Sequence, residues 1–311
     1  MKKELYTMAQ DTRRLPAASD GITERYFDRI LVETRYLDAQ TPDVSATLFG
    51  RKVSTPVTTA ALSHFKGKEE DGLAEMAAGA AQAGALALVG MTTPEQYAAV
   101  AASGAAMVRI IKPYDDDREV TLRIRQAEEL GAVAVGMDID HSFGADGKPD
   151  NVMGKQMRPR TMHELEALCR STELPFVVKG VLSAEDARKC VEAGARGIVV
   201  SHHHGIMPNA VPALMVLPEI ARVVRGRAAI LVDGSFENGM DVFKALAMGA
   251  DAVCVGRVLM GPIQQEGAAG ACRVLQEITG ELAAAMARTC SPDLRSIDPS
   301  VLWIDGQRFR P

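Results

Sequence analysis

The sequence lacks paired cysteines: Cys169, Cys190, Cys254, Cys272 and Cys290 stand far apart, and none shares a close spacing with another. An odd total without paired spacing excludes a disulfide framework and a zinc knuckle and leaves buried free thiols. No run is long and apolar enough to cross a bilayer, and the opening MKKELYTMAQDTRRLP lacks the apolar centre of a signal peptide. A soluble, cytoplasmic protein without a membrane partner is expected. Excess positive charge is missing too, with 35 Lys and Arg against 40 Asp and Glu and a net charge of -5. A basic field able to track a phosphate backbone is thereby excluded, and with it a nucleic-acid partner, so a small-molecule substrate is expected. No linker, low-complexity tract or composition break divides the 311 residues, which predicts one domain over 1–311.

What the sequence has is a repeated transition from a Gly that ends a helix to a short apolar run. It appears in AAQAGALALVG, AASGAAMVRII, EELGAVAVGMD, VEAGARGIVVS and LAMGADAVCVG. Gly supplies the left-handed cap of the helix, and the apolar run suits a strand buried on both faces. Strands are predicted near Val53 to Ala60, Ala85 to Met91, Ala106 to Ile111, Val133 to Asp138, Pro175 to Gly180, Gly197 to Ser201, Ala229 to Asp233 and Ala252 to Gly256. Amphipathic segments lie between them, several opening with Ser, Thr or Asp followed by Glu, as helix N-termini do. Eight alternating units fit an α/β fold with a closed (β/α)8 barrel better than an open sheet. Residues 1–50 are expected to form an extension with a short helix and a small antiparallel element. The barrel core would span 53–257, and 258–311 would hold C-terminal helices and a tail.

In such a barrel the chemistry gathers where the strands end. The predicted ends carry Asp138, then Lys179, then Ser201 with His202, His203 and His204, then Asp233, Gly234 and Ser235, then Gly256 and Arg257. Small residues at Gly234, Ser235 and Gly256 allow backbone amides to approach an anion while Arg257 supplies charge, although the same glycines could merely make tight turns. Lys179 closes the apolar run LPFVVKG and invites three readings: a Schiff-base amine, a cation facing an electron-rich cofactor ring, or a side chain that reaches solvent. Three consecutive histidines suggest a metal at first sight. Adjacent residues of an extended backbone point to opposite faces and cannot all reach one ion, so no metal is predicted.

The segments LPFVVKGVLSAEDARKCVEAGARGIVVSHHHG, VPALMVLPEIARVVRGRAAILVDGS and NGMDVFKALAMGADAVCVGR carry a resemblance to the FMN-dependent 2-hydroxy acid oxidases and dehydrogenases, the glycolate oxidase and lactate dehydrogenase group. The resemblance runs from about Phe27 to Arg288 and is strongest from Pro175 to Arg257. It implies FMN at the mouth of the barrel and makes a homotetramer the expected assembly. Lys179 matches the lysine beside the flavin N1 and O2 edge, and Thr59 and Ala60 match the segment whose backbone touches the isoalloxazine. Ser201, Asp233, Gly234, Ser235, Gly256 and Arg257 fall in the matching cofactor-binding region. The family's Ser-Asn-His-Gly-Gly lines up with Ser201 to Gly205, which makes His203 the counterpart of the active-site base. Asp138 matches the carboxylate that holds that histidine.

The likeness breaks where the family grips its substrate. The family's catalytic histidine is followed by Gly-Gly-Arg, whereas here Gly205 is followed by Ile206 and Met207. Where the family places a tyrosine near the end of the third strand, Arg109, Ile110 and Ile111 stand, and Ile111 offers no hydroxyl. The N-terminal substrate tyrosine finds no counterpart in YTMAQDTRRLPAASDG, and GMDIDHSFGADGKPD lacks the family's later arginine. Losing such a fork weakens carboxylate binding by about 2–5 kcal/mol. An unusual substrate is therefore expected, with Arg109, Lys155, Arg158 and Arg160 as candidate contacts. An FMN-dependent isomerase or lyase without net redox change, and a non-catalytic flavin-binding protein, remain as alternatives.

Overall fold

The computed structural model describes residues 17–310 apart from His64, Lys66 and Glu69. The segment in which a substrate tyrosine was sought runs from Tyr6 to Gly21, and its residues 6–16 lie outside the described residues. Eight parallel strands close into a barrel: β1 (Val57–Leu62), β2 (Ala87–Val89), β3 (Met107–Ile111), β4 (Ala134–Asp138), β5 (Phe176–Val181), β6 (Gly197–Val200), β7 (Ala229–Val232) and β8 (Ala252–Val255). Each lies within a few residues of its predicted place. Closure is made by β8 against β1, with Val253 opposite Val57 and Val255 opposite Thr59.

The strands are apolar on both faces because both are covered. Leu86, Leu88, Val108, Ile110, Val177, Val199, Leu231 and Cys254 fill the interior, while Val57, Val89, Met107, Val135, Ile198 and Val253 pack outward against the helices. Each such fully buried aliphatic side chain stabilises the fold by about 1.5–3 kcal/mol. The expected antiparallel element is the hairpin of Ala46–Leu48 with Arg51–Val53, whose Leu48 and Val53 plug the floor of the interior. The predicted N-terminal helix spans Ser19–Asp28, and the C-terminal periodicity forms Arg257–Glu266 and Ala268–Ala287. One pairing was not foreseen: Leu302–Ile304 of the tail runs antiparallel to Ile30–Val32 and brings the two flanking segments together.

The connecting helices begin as their sequences suggest. Thr93 and Thr161 form capping boxes with Gln96 and Glu164, and Ser183 and Asn238 accept from the third amides of their helices. Satisfying those free amides is worth about 1 kcal/mol per cap. Strand β5 carries an irregularity between Lys179 and Val181, and Gly180 sits there at φ +91°. Only glycine takes that conformation freely, and a Cβ at this position would come within 2.5 Å of the Asp140 carboxyl. The kink gives Asp140 its room.

Candidate active site

Alternation along a strand decides which polar groups reach the mouth. In β3, Val108 and Ile110 face inward, so the next inward position is Lys112. The same phase in β5 takes Val177 to Lys179, in β6 Val199 to Ser201, and in β7 Leu231 to Asp233. Lys112, Asp138, Lys179, Ser201 and Asp233 all lie buried at that end of the barrel. Above them opens a cavity of about 640 Å³ that includes Ala60, Lys112, His141, Lys179, His203, Asp233 and Arg257 in its lining.

His203 stands at the centre of this cluster. Its Nδ1 lies 2.8 Å from Asp140 Oδ1, 3.3 Å from Asp138 Oδ1 and 3.1 Å from Lys179 Nζ. Its backbone amide donates to Ser201 Oγ, which also accepts from Lys179 at 3.3 Å. Asp138 thus meets His203 as the resemblance implies, but Asp140 is the nearer carboxylate. Asp138 has its shortest contact with Lys112, at 2.7 Å, and Lys179 sits between Asp138 at 3.6 Å and Asp233 at 3.5 Å. His203 and His204 both take left-handed backbone conformations, with φ of 45° and 55°. Strained non-glycine residues of this kind gather at functional sites.

The charges follow from those distances. Burial alone would raise the Asp138 carboxyl, but Lys179, the contact with His203 and Lys112 hold it well below the usual carboxylate range. Asp140 goes the other way: burial and the charge of Asp138 push it up to about 6, against the opposing contact with His203. Burial and Lys179 would lower His203, yet Asp138 and Asp140 raise it overall. Burial would lower Lys179 as well, but Asp138, Asp233 and Asp140 hold it above its ordinary value as an ammonium ion. His141 is lowered by burial, Lys112 and His203.

The other two histidines have different surroundings. His202 is buried, with Nε2 3.0 Å from Thr23 Oγ1 and Nδ1 accepting from the Gly205 amide. His204 is exposed and pairs with Asp20 at 2.8 Å. The three neighbours do not converge.

Of the residues matched to flavin binding, Ala60, Lys179, Asp233, Gly234, Ser235, Gly256 and Arg257 line the cavity. Arg257 opens the helix Arg257–Glu266 and reaches Ser235 Oγ at 3.0 Å and Asp20 at 3.2 Å. Thr59 is tied through Oγ1 to the backbone of Leu88, and Ser201 lies behind Lys179 and His203.

The expected substrate arginines are not in the mouth. Arg109 was expected at a strand end facing it, but its place in β3 is on the outward phase. It is buried against Tyr97, 3.9 Å from the ring centroid, and bonds the Arg123 carbonyl and Gln126. Arg158 pairs with Asp117 and Glu164, and Arg160 with Asp117 and the Tyr114 carbonyl. Lys155 pairs with Glu119 at 2.5 Å. None of the four lines the cavity. Ile111 likewise packs outward, and the inward residue ending β3 is Lys112. Sequence reasoning missed Lys112, Asp140, His141 and Asp150. Counting every second residue past Val108 finds the first, and an acid and an imidazole just beyond a strand end, in MDIDH, signal the next two.

Comparison with known proteins agrees with the barrel. The sequence matches the FMN-dependent dehydrogenase family over residues 18–163 and 145–304. Glycolate oxidase of Spinacia oleracea is 32% identical over 317 residues, covering 90% of this chain and 86% of that protein. The 2-hydroxyacid oxidase of Dictyostelium discoideum is 28% identical, covering 92% and 84%. Mandelate oxidase solved with 3,3-difluoro-2-hydroxy-3-phenylpropionic acid superposes with a TM-score of 0.82 at 28% identity over 93% of this chain and 91% of that one. A mandelate oxidase mutant with the monooxide FMN adduct gives 0.82 at 30% identity over 92% and 91%. With the barrel and the family match in agreement, this chain belongs to the FMN-dependent dehydrogenase family and is an FMN-dependent oxidoreductase.

Proposed function

We propose that the protein oxidises a hydroxyl-bearing carbon in the manner of the 2-hydroxy acid oxidases, with His203 as base, on a substrate other than the small hydroxy acids. The cavity suits the cofactor. Asp233 Oδ1 is buried without a hydrogen-bond partner among the described residues, as an oxygen awaiting a ribityl hydroxyl would be. A Cβ on Gly256 would come 3.2 Å from the Ala60 Cβ, so glycine keeps that wall open. Arg257, at the start of its helix, and Ser235, on the turn after β7, fit a phosphate. When bound, FMN supplies the acceptor for the hydride equivalent. The protein does the rest: Lys179 places positive charge at the buried edge, and His203, backed by Asp138 and Asp140, takes the hydroxyl proton.

The observation that carries the substrate reading is the position of the cations. Arg109, Arg158 and Arg160 point elsewhere, Ile206 and Met207 follow Gly205, and Lys112 is committed to Asp138 at 2.7 Å. Among the described residues a small carboxylate has no free fork to grip. Leu62, Met91, Val152, Met153 and Ile206 line the outer cavity instead and suit an apolar substituent. The test is anaerobic bleaching of the flavin by glycolate, lactate and (S)-mandelate. Reduction by glycolate and lactate is expected to be slow or absent, and rapid bleaching by either overturns this reading of the substrate.

A further inference from the structure

The mouth holds one contact that a single basic imidazole does not need. His141 follows β4 on the turn Ile139–Ser142, and its Nε2 lies 2.9 Å from His203 Nε2, with the two rings edge to face at 87°. On its other side, His141 Nδ1 lies 2.9 Å from Asp150 Oδ2. Two bare imidazole nitrogens repel at that distance, so a proton lies between them. Asp150 decides whose it is. A carboxylate only accepts, which puts a hydrogen on His141 Nδ1 and leaves the Nε2 of a neutral His141 bare. His203 must then donate from Nε2. At its other nitrogen a neutral ring accepts from Lys179, whereas a charged ring is paired with Asp140 Oδ1 at 2.8 Å. In both states the Nε2 proton points at His141.

We propose that His141 and His203 act as one proton-sharing pair with Asp150 as its outlet, so that the base is the pair and not His203 alone. This rests on the reading of His203 as base. Each step balances: the substrate O–H bond breaks and an N–H bond forms at His203 Nδ1, while the Nε2 proton of His203 passes to the bare Nε2 of His141. His141 then gives up its Nδ1 proton to Asp150 and on to water, and bound FMN would supply the acceptor for the two electrons that leave with the carbon-bound hydrogen. The charged groups facing the pair are Lys112 from the end of β3, Asp138 from the end of β4, Asp140 from the turn after it, Lys179 from β5, Asp233 from the end of β7 and Asp150 from the loop beyond His141. His141 and Asp150 are both partly open to solvent, with 19% and 23% of their side chains exposed, as an outlet requires.

The experiment is a pH titration of the FMN-loaded protein labelled with ¹⁵N-histidine, read by NMR. In the native protein the His141 and His203 rings are expected to titrate together in two steps, separated by about one pH unit or more. His141→Gln keeps a hydrogen-bond acceptor but cannot take the proton, and should leave His203 with a single step between those two. Asp150→Asn, which does not touch His203, should move both steps downward. A His203 that titrates in one step and is unaffected by either substitution overturns the proposal. So does a stoichiometric transition metal in the purified protein, bound where the shared proton would be. The readout needs no substrate, so a failure of His203 as base would appear in flavin reduction by His203 variants and a failure of the pair in this titration.

Discussion

The two halves of the barrel mouth differ in kind. On the side of β1 and β5 to β8, Lys179, Asp233, Gly234, Ser235, Gly256 and Arg257 line the cavity in the order the family resemblance implies. On the side of β3 and β4, Lys112, Asp140, His141 and Asp150 form a network for which that resemblance offered no counterpart. The first group is the one that the resemblance assigns to the cofactor, and the second lies on the strand ends at which that resemblance breaks. His203 sits on the seam and touches both, through Lys179 on one side and His141 on the other.

The sharpest way to break this comparison is at its seam. His203→Asn is expected to retain FMN and to slow flavin reduction by about 10²–10⁴-fold with the best of the tested hydroxy acids. Stopped-flow reduction checks this, and an unchanged rate would move the proton acceptor elsewhere. On the side of β5 to β8, Lys179→Met should act on stability before chemistry. It strips the buried carboxylates of Asp138 and Asp233 of a shared counter-charge, and the expected loss is about 3–5 kcal/mol in urea unfolding. A loss under about 1 kcal/mol would mean that water already reaches those carboxylates.

The barrel and the polar residues at its strand ends were legible in the sequence and the turn beyond β4 was not, for separable reasons. The Gly-to-apolar repeat marked all eight strands because strands covered on both faces need continuous apolar runs. Their ends then marked Asp138, Lys179, His203 and Asp233. Arg109 was misread because a polar residue in an apolar run looks like a strand end. Its neighbours Val108 and Ile110 both face inward, which sends Arg109 out to Tyr97 and brings Lys112 in. Asp140 and His141 lie past β4 on a turn, where no periodicity orients a side chain, and their partners Gly180 and Asp150 are 40 and 9 residues distant along the chain. Only three-dimensional proximity joins them.

Asp140 offers a pH test of the rebuilt half. Its carboxyl is raised from an ordinary 3.8 to about 6 by burial and by Asp138. The folded state therefore binds this proton more tightly than the unfolded chain does, so the stability it contributes is complete below about 4 and is lost as pH rises through about 6. Between those values the native protein should lose about 1–3 kcal/mol relative to Asp140→Asn, whose amide imitates the protonated acid throughout. Urea midpoints measured at pH 4, 5 and 6 check this. Parallel curves for the two proteins would show that Asp140 is ionised across the window.

The smallest effect is expected at His204, where the resemblance places a glycine. Its backbone lies at φ 55°, which costs a residue with a Cβ about 1 kcal/mol. Its contact with Asp20 at 2.8 Å involves a side chain that is 62% exposed, and such pairs contribute about 0–1 kcal/mol. Glycine relieves the strain but loses the pair and adds freedom to the unfolded chain, so His204→Gly should change stability by less than about 1 kcal/mol. Thermal unfolding with and without FMN decides it. A loss above about 2 kcal/mol would mean that the Asp20 pair, and the helix Ser19–Asp28 that carries it, anchors the His203 turn, and the seam between the two halves would then extend to the N-terminal segment.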